Sequence, residues 1–139
     1  MKPSLLYRIA SILLLLFAVG HTLGFRQIDP KWGVDSLIQS MRSIHFNASG
    51  SDRTYWDFFV GFGLFVTVLM VLASIIAWQF GGLPTETLAA MRMSAWAFVV
   101  CFAIVAYLSW RYFFTLPVIF SIAIFLCLTA AAWLSGAPH

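Results

Sequence analysis

Four stretches of the chain carry no Asp, Glu, Lys or Arg: residues 9–25, 58–85, 93–110 and 112–139. A membrane-spanning helix needs about 20 mostly apolar residues at a rise of about 1.5 Å each. The runs of 17, 28, 18 and 28 residues meet that length, the shorter two once flanking residues whose charges can snorkel are added. Continuous apolar sequences such as LLLLFAVG and VTVLMVLASIIAW lack the alternation of a membrane β-strand. Helices are the other way to satisfy every backbone group in lipid. The pattern predicts an all-α membrane protein, an up-and-down bundle of four transmembrane helices over about 5–24, 55–80, 88–110 and 117–136. Four spans and one substantial loop consume the chain, so 1–139 is expected to be a single membrane domain.

Between the first two runs the periodicity changes. Val34, Leu37, Ile38, Met41 and Ile44 recur on one helical face, while Asp35, Ser36, Gln39, Ser40, Arg42 and Ser43 fill the other. This predicts a short amphipathic helix over about 35–46, capped by Asp35 and stopped by Asn47–Gly50. Too short to span, it lies in the headgroup plane or folds as a lid over one end of the bundle; the lid is favoured. Ser51 or Asp52 is expected to cap the second long helix, and Gly81, Gly82 and Pro84 to end it. Thr85 or Thr87 opens the third, and Pro117 suits the first turn of the fourth. Contacts between helices in lipid call for small residues, for which Gly20, Gly24, Gly61, Gly63, Ala90 and Ser94 are the candidates.

Composition agrees: 62% of residues are hydrophobic and 9% charged, against about 25% charged in an average soluble domain. Charge is also unevenly placed, with eight of the thirteen charged residues between Arg26 and Asp57. The net charge of +3 comes from bases interleaved with acids, which gives no case for nucleic acid. Cys101 and Cys127 fall in separate spans without CxxC spacing and read as core residues. Lys2 and Arg8 before the first apolar run, with Ala18 and Gly20 after it, also fit a cleaved secretory signal. A retained helix is favoured because apolar residues resume at Leu23 and Phe25.

Chain reversal gathers His21, Arg26, His45, Arg53, Asp57 and Arg111 on one side, with Tyr55, Trp56, Tyr107, Trp110 and Tyr112 around them. His21 is the most informative, since an ionisable residue inside a span usually faces the protein interior. It is either an acid or base oriented by Asp57, or a histidine hydrogen-bonded within the bundle. Haem ligation by His21 and His45 lacks the spacing of a bis-histidine site across two spans, so no cofactor and no metal are expected. Asp57 needs a partner such as Arg53 or His21, or else caps the second helix against the positive end of its dipole. Arg92 reads as an interfacial anchor, His139 as a disordered terminus, and Asn47–Ser49 as a formal glycosylation sequon.

GHTLG at residues 20–24, the short amphipathic segment and RTYWDFFVGFG at residues 53–63 resemble small four-helix bacterial integral membrane proteins, over most of the chain. That resemblance implies the fold and a bacterial inner membrane, and no particular activity. In architecture alone the chain is also similar to the EXPERA group of sterol isomerases and sterol-binding proteins. It departs from that group in having Asp57 alone, at a helix margin.

The leading expectation is a non-enzymatic protein that binds a lipophilic small molecule, or a membrane protein partner or second copy, at the polar end of its bundle. His21, Arg53, Trp56, Asp57 and Arg111 are the candidate binding residues. The alternatives are an enzyme acting on a lipid, sterol-like or quinone substrate through His21 and Asp57, and a small transporter or channel subunit. Counting bases favours a cytoplasmic loop-rich side, whereas Lys2 and Arg8 ahead of the first helix favour an N-inside arrangement, which is preferred. With Cys101 and Cys127 replaced, a cysteine introduced in the 47–50 turn is then expected to react with an impermeant maleimide in intact cells. Labelling only after lysis reverses the orientation.

Overall fold

Pro3 occupies the first position of α1 (Pro3–Gly24), where its missing N–H is no loss. A computed structural model describes residues 2–135 and is 81% helical; the expectation for His139 lies outside the described residues. After α1 a 3-10 turn, Pro30–Trp32, is capped by the Asp29 side chain. There follow α2 (Asp35–Ser43), β1 (His45–Ala48), β2 (Ser51–Thr54), α3 (Tyr55–Phe80), α4 (Thr85–Ala90), α5 (Arg92–Tyr112) and α6 (Thr115–Ser135). The helices α1, α3, α5 and α6 are each long and apolar enough to cross a membrane.

The chain divides into two units, one from residues 1–17 and 70–139, the other Ala18–Leu69. In the first, larger unit, α1 buries Leu6, Tyr7, Ala10, Ser11 and Leu14, a stripe with helical spacing. These join Ala77 and Phe80 of α3, Leu88 of α4, Ala95, Val99 and Phe102 of α5, and Ile124, Leu128, Ala131 and Ala132 of α6. Small residues carry much of this core and let the helices approach closely: Ala10, Ala77, Ser121 and Ala131 are all fully enclosed. In the third span the small residues that pack are not the expected pair. Ala90 and Ser94 are exposed, and the buried stripe begins at Ala95.

Two serines fix the pairing of α1 with α3 in this unit. Ser11 Oγ donates to the Ser74 carbonyl at 2.8 Å, and Ser74 Oγ donates to the Ser11 carbonyl at 2.9 Å. Tyr7 meets Phe80 edge-on at 5.4 Å, so the later α3 residue faces the earlier α1 residue and the helices are antiparallel. Helices α5 and α6 are joined by Phe113 and Phe114 alone, and this short link makes them antiparallel neighbours too.

The third span is interrupted. Met91, at φ −91° and ψ 18°, separates α4 from α5, and its N–H is shared between the carbonyls of Thr87 and Leu88. Pro117 lies in the first turn of α6, as its sequence position predicts.

The smaller unit contains the main departure from expectation. The amphipathic helix ends at Ser43, and residues 45–54 form an antiparallel hairpin that pairs His45 with Thr54 and Ala48 with Ser51. Ser49 and Gly50, at φ 52° and 89°, make its two-residue turn. Positive φ at both positions matches strand twist, and glycine takes the second at no steric cost. Asn47 Oδ1 accepts the Gly50 N–H at 2.7 Å. Asn47–Gly50 thus turns a hairpin and does not stop a helix. Nor is α2 a buried lid: none of its residues is buried, and Leu37 is 58% exposed.

Removing either serine of the α1–α3 pair is expected to destabilise the protein modestly. A double-mutant cycle of Ser11→Ala and Ser74→Ala, read by thermal unfolding in detergent, should give a coupling of about 0.6 kcal/mol, near the mean for hydrogen bonds between membrane helices.

Candidate functional site

The polar residues singled out by sequence fall mostly in the smaller unit. Here α3 begins where β2 ends, and a reciprocal cap fixes the junction. Thr54 donates from its N–H (2.8 Å) and its hydroxyl (3.0 Å) to Asp57 Oδ2, and the Asp57 N–H donates back to Thr54 Oγ1 at 3.2 Å. This is a capping box with aspartate in the third helical position, next to the positive end of the helix dipole. Thr54 is buried, and it replaces Ser51 and Asp52 as the cap. The TxxD spacing ahead of an apolar run is the sequence signal that identifies it.

His21 is half-buried and its Nε2 lies 3.0 Å from the Gly63 carbonyl oxygen. A carbonyl only accepts, so Nε2 carries the proton. The imidazole stacks on Phe25 at 5.1 Å and 15°. The next residue, Thr22, donates from Oγ1 to the Ala18 carbonyl and lies 2.9 Å from Thr67 Oγ1. No hydrogen bond joins His21 to Asp57: His21 Nε2 is held at the Gly63 carbonyl and Asp57 Oδ2 at the Thr54 cap. The only contact between a basic and an acidic side chain among the described residues is elsewhere, a hydrogen bond between His45 Nδ1 and Asp52 Oδ2 at 3.0 Å on the exposed hairpin.

Of the four glycines expected at helix contacts, Gly63 alone is tightly packed. A Cβ there would collide with the Phe25 ring, whereas one at Gly20, Gly24 or Gly61 would meet nothing within 4 Å. The GxxxG of α1 and Gly61 are therefore not close-approach positions.

Trp56, half-buried, receives the Arg42 guanidinium over its ring at 4.1 Å, a cation–π contact that ties α2 to the start of α3. Arg111 belongs to the larger unit, at the end of α5, with its guanidinium over the Tyr112 ring.

A shallow groove of about 230 Å³ runs along α3 in the smaller unit, lined by Arg53, Asp57, Phe58, Gly61, Phe62 and Phe65. Its walls are aromatic because phenylalanines recur at helical spacing: Phe58 stacks with Phe62, and Phe62 meets Phe65 edge-on, both at 6.4 Å. Phe46 of β1 lies parallel to Phe58 at 5.9 Å and extends the row. Gly61 forms the floor. Arg53 and Asp57 are marked by their charge, whereas the phenylalanines look like ordinary lipid-facing residues until Gly61 is seen to leave space beside them.

Among the described residues no group of three or more His, Cys, Asp or Glu side chains is arranged to hold a metal ion. Comparison with family models, with curated proteins and with solved structures finds no match to this chain.

Alanine at Gly63 is expected to cost about 1–3 kcal/mol through overpacking against Phe25. At Gly61 the same change meets open space and should gain up to about 1 kcal/mol of helix propensity. Thermal unfolding of the two variants in one detergent checks the contrast.

Proposed function

We propose that this chain is a multi-pass integral membrane protein whose four long helices cross the bilayer in up-and-down order, and that it binds a lipophilic small molecule. The observation that carries the reading is the α3 groove: its apolar length is walled by phenylalanines and its mouth holds two opposite charges. An apolar concavity with a few polar groups at one end offers a lipophilic molecule both a contact surface and an orienting end. In this reading α2 lies in the headgroup layer, its exposed apolar face towards the acyl chains and its polar face towards water.

The groove needs no catalytic group. His21 and Asp57 each hold backbone together, which favours binding over acid–base chemistry. A bacterial inner membrane is proposed on the sequence resemblance alone.

Extraction from native membranes followed by mass spectrometry tests the reading. A lipid or other apolar small molecule enriched over the bulk membrane extract is the expected result. Enrichment of a protein partner alone, or of nothing, overturns it.

A further inference from the structure

The chemistry of the groove narrows its ligand. Arg53 and Asp57 line the same mouth without closing into a salt bridge. Each has capacity left. Asp57 commits Oδ2 to Thr54, and among the described residues its Oδ1 has no hydrogen-bond partner. Arg53 uses Nη1 on the Asp52 carbonyl at 2.7 Å, and a guanidinium has five donors. A molecule that satisfies both groups carries an anion and a cation a few bonds apart, with a flexible apolar tail.

Resting on the lipophilic-ligand reading above, we propose that the groove holds one zwitterionic phospholipid of the phosphatidylethanolamine kind. Its phosphate accepts from Arg53, its ammonium donates to Asp57, and one acyl chain lies over Gly61 between Phe58, Phe62 and Phe65. Charge complementarity selects this headgroup. A purely anionic lipid would satisfy Arg53 but bring its phosphate beside an unneutralised carboxylate. A neutral diacylglycerol would leave both charges unpaired. The open side of the groove suits a disordered chain better than a rigid ring system, because it fixes one face of the ligand only.

The test is a titration of the full-length protein in detergent with dioleoyl phosphatidylethanolamine, dioleoyl phosphatidylglycerol and dioleoylglycerol, followed by native mass spectrometry. Phosphatidylethanolamine is expected to bind about two- to fivefold more tightly than phosphatidylglycerol, the range of an exposed charge pair. Arg53→Gln, at an exposed position outside the helices, should weaken both phospholipids. Asp57→Asn keeps an oxygen for the Thr54 cap and should weaken phosphatidylethanolamine alone. Gly61→Leu fills the floor and should weaken all three, while Val68→Leu, outside the groove, should change none.

Equal affinity for the two phospholipids, or an Asp57→Asn variant that affects both alike, overturns the zwitterion assignment and leaves the lipophilic-ligand reading standing. Loss of discrimination with Gly61→Leu binding unchanged removes the groove as the site. Failure of every lipid to bind, with no other apolar molecule co-purifying from native membranes, removes both.

Discussion

Where the extended strand β2 becomes the helix α3, Thr54 and Asp57 exchange three hydrogen bonds, and this exchange sets the rotational phase of everything that follows in the smaller unit. A helix started one residue earlier or later would turn its side chains by about 100°. Phe58, Gly61, Phe62 and Phe65 would then no longer share a face with Arg53. The same carboxylate that starts the helix lines the groove, with Oδ2 committed to the cap and Oδ1 outside it. Buried Thr54 is the less visible partner, and its threonine hydroxyl is both donor and acceptor in the arrangement.

The long helices were legible because their signal is length and apolarity, which neither packing nor register can disguise. Phe80 and Gly81 mark the end of α3 as expected, and α1, α5 and α6 fall within a few residues of their predicted limits. The hairpin was not legible. Its strands are only four residues long: β1 alternates, with Phe46 and Ala48 between His45 and Asn47, but it follows directly on a helical period that continues formally through Ile44, and β2 contains no apolar residue. The Ser49–Gly50 pair carries the turn signal, but with an apolar pattern on one flank only it is equally a helix stop. The break at Met91 has no glycine or proline to announce it.

At the candidate site, residue type was more legible than residue role. His21 and Asp57 stand out because ionisable groups near lipid are costly and call for partners, and each has a partner for one atom, His21 Nε2 and Asp57 Oδ2. Residue type alone does not say which partner. The Gly63 carbonyl is a backbone group of a kind every residue has and marks no position in advance, whereas the Thr54 cap is announced only by its TxxD spacing. Gly63 differs from Gly61 only in having Phe25 against it, a contact between residues 38 positions apart that no local pattern reveals.

The serine pair of the larger unit has a consequence for assembly. Before α3 is in place, Ser11 can bond back to its own helix, as Thr22, Ser121 and Thr129 do to carbonyls four residues earlier. Docking therefore trades one hydrogen bond for another, and the net gain is small. What the exchange supplies is a vernier: a slip of α1 along α3 by even one turn, about 5.4 Å, breaks both contacts together. Two hydroxyls that add little to the strength of the pairing thus decide the depth at which the first helix comes to rest.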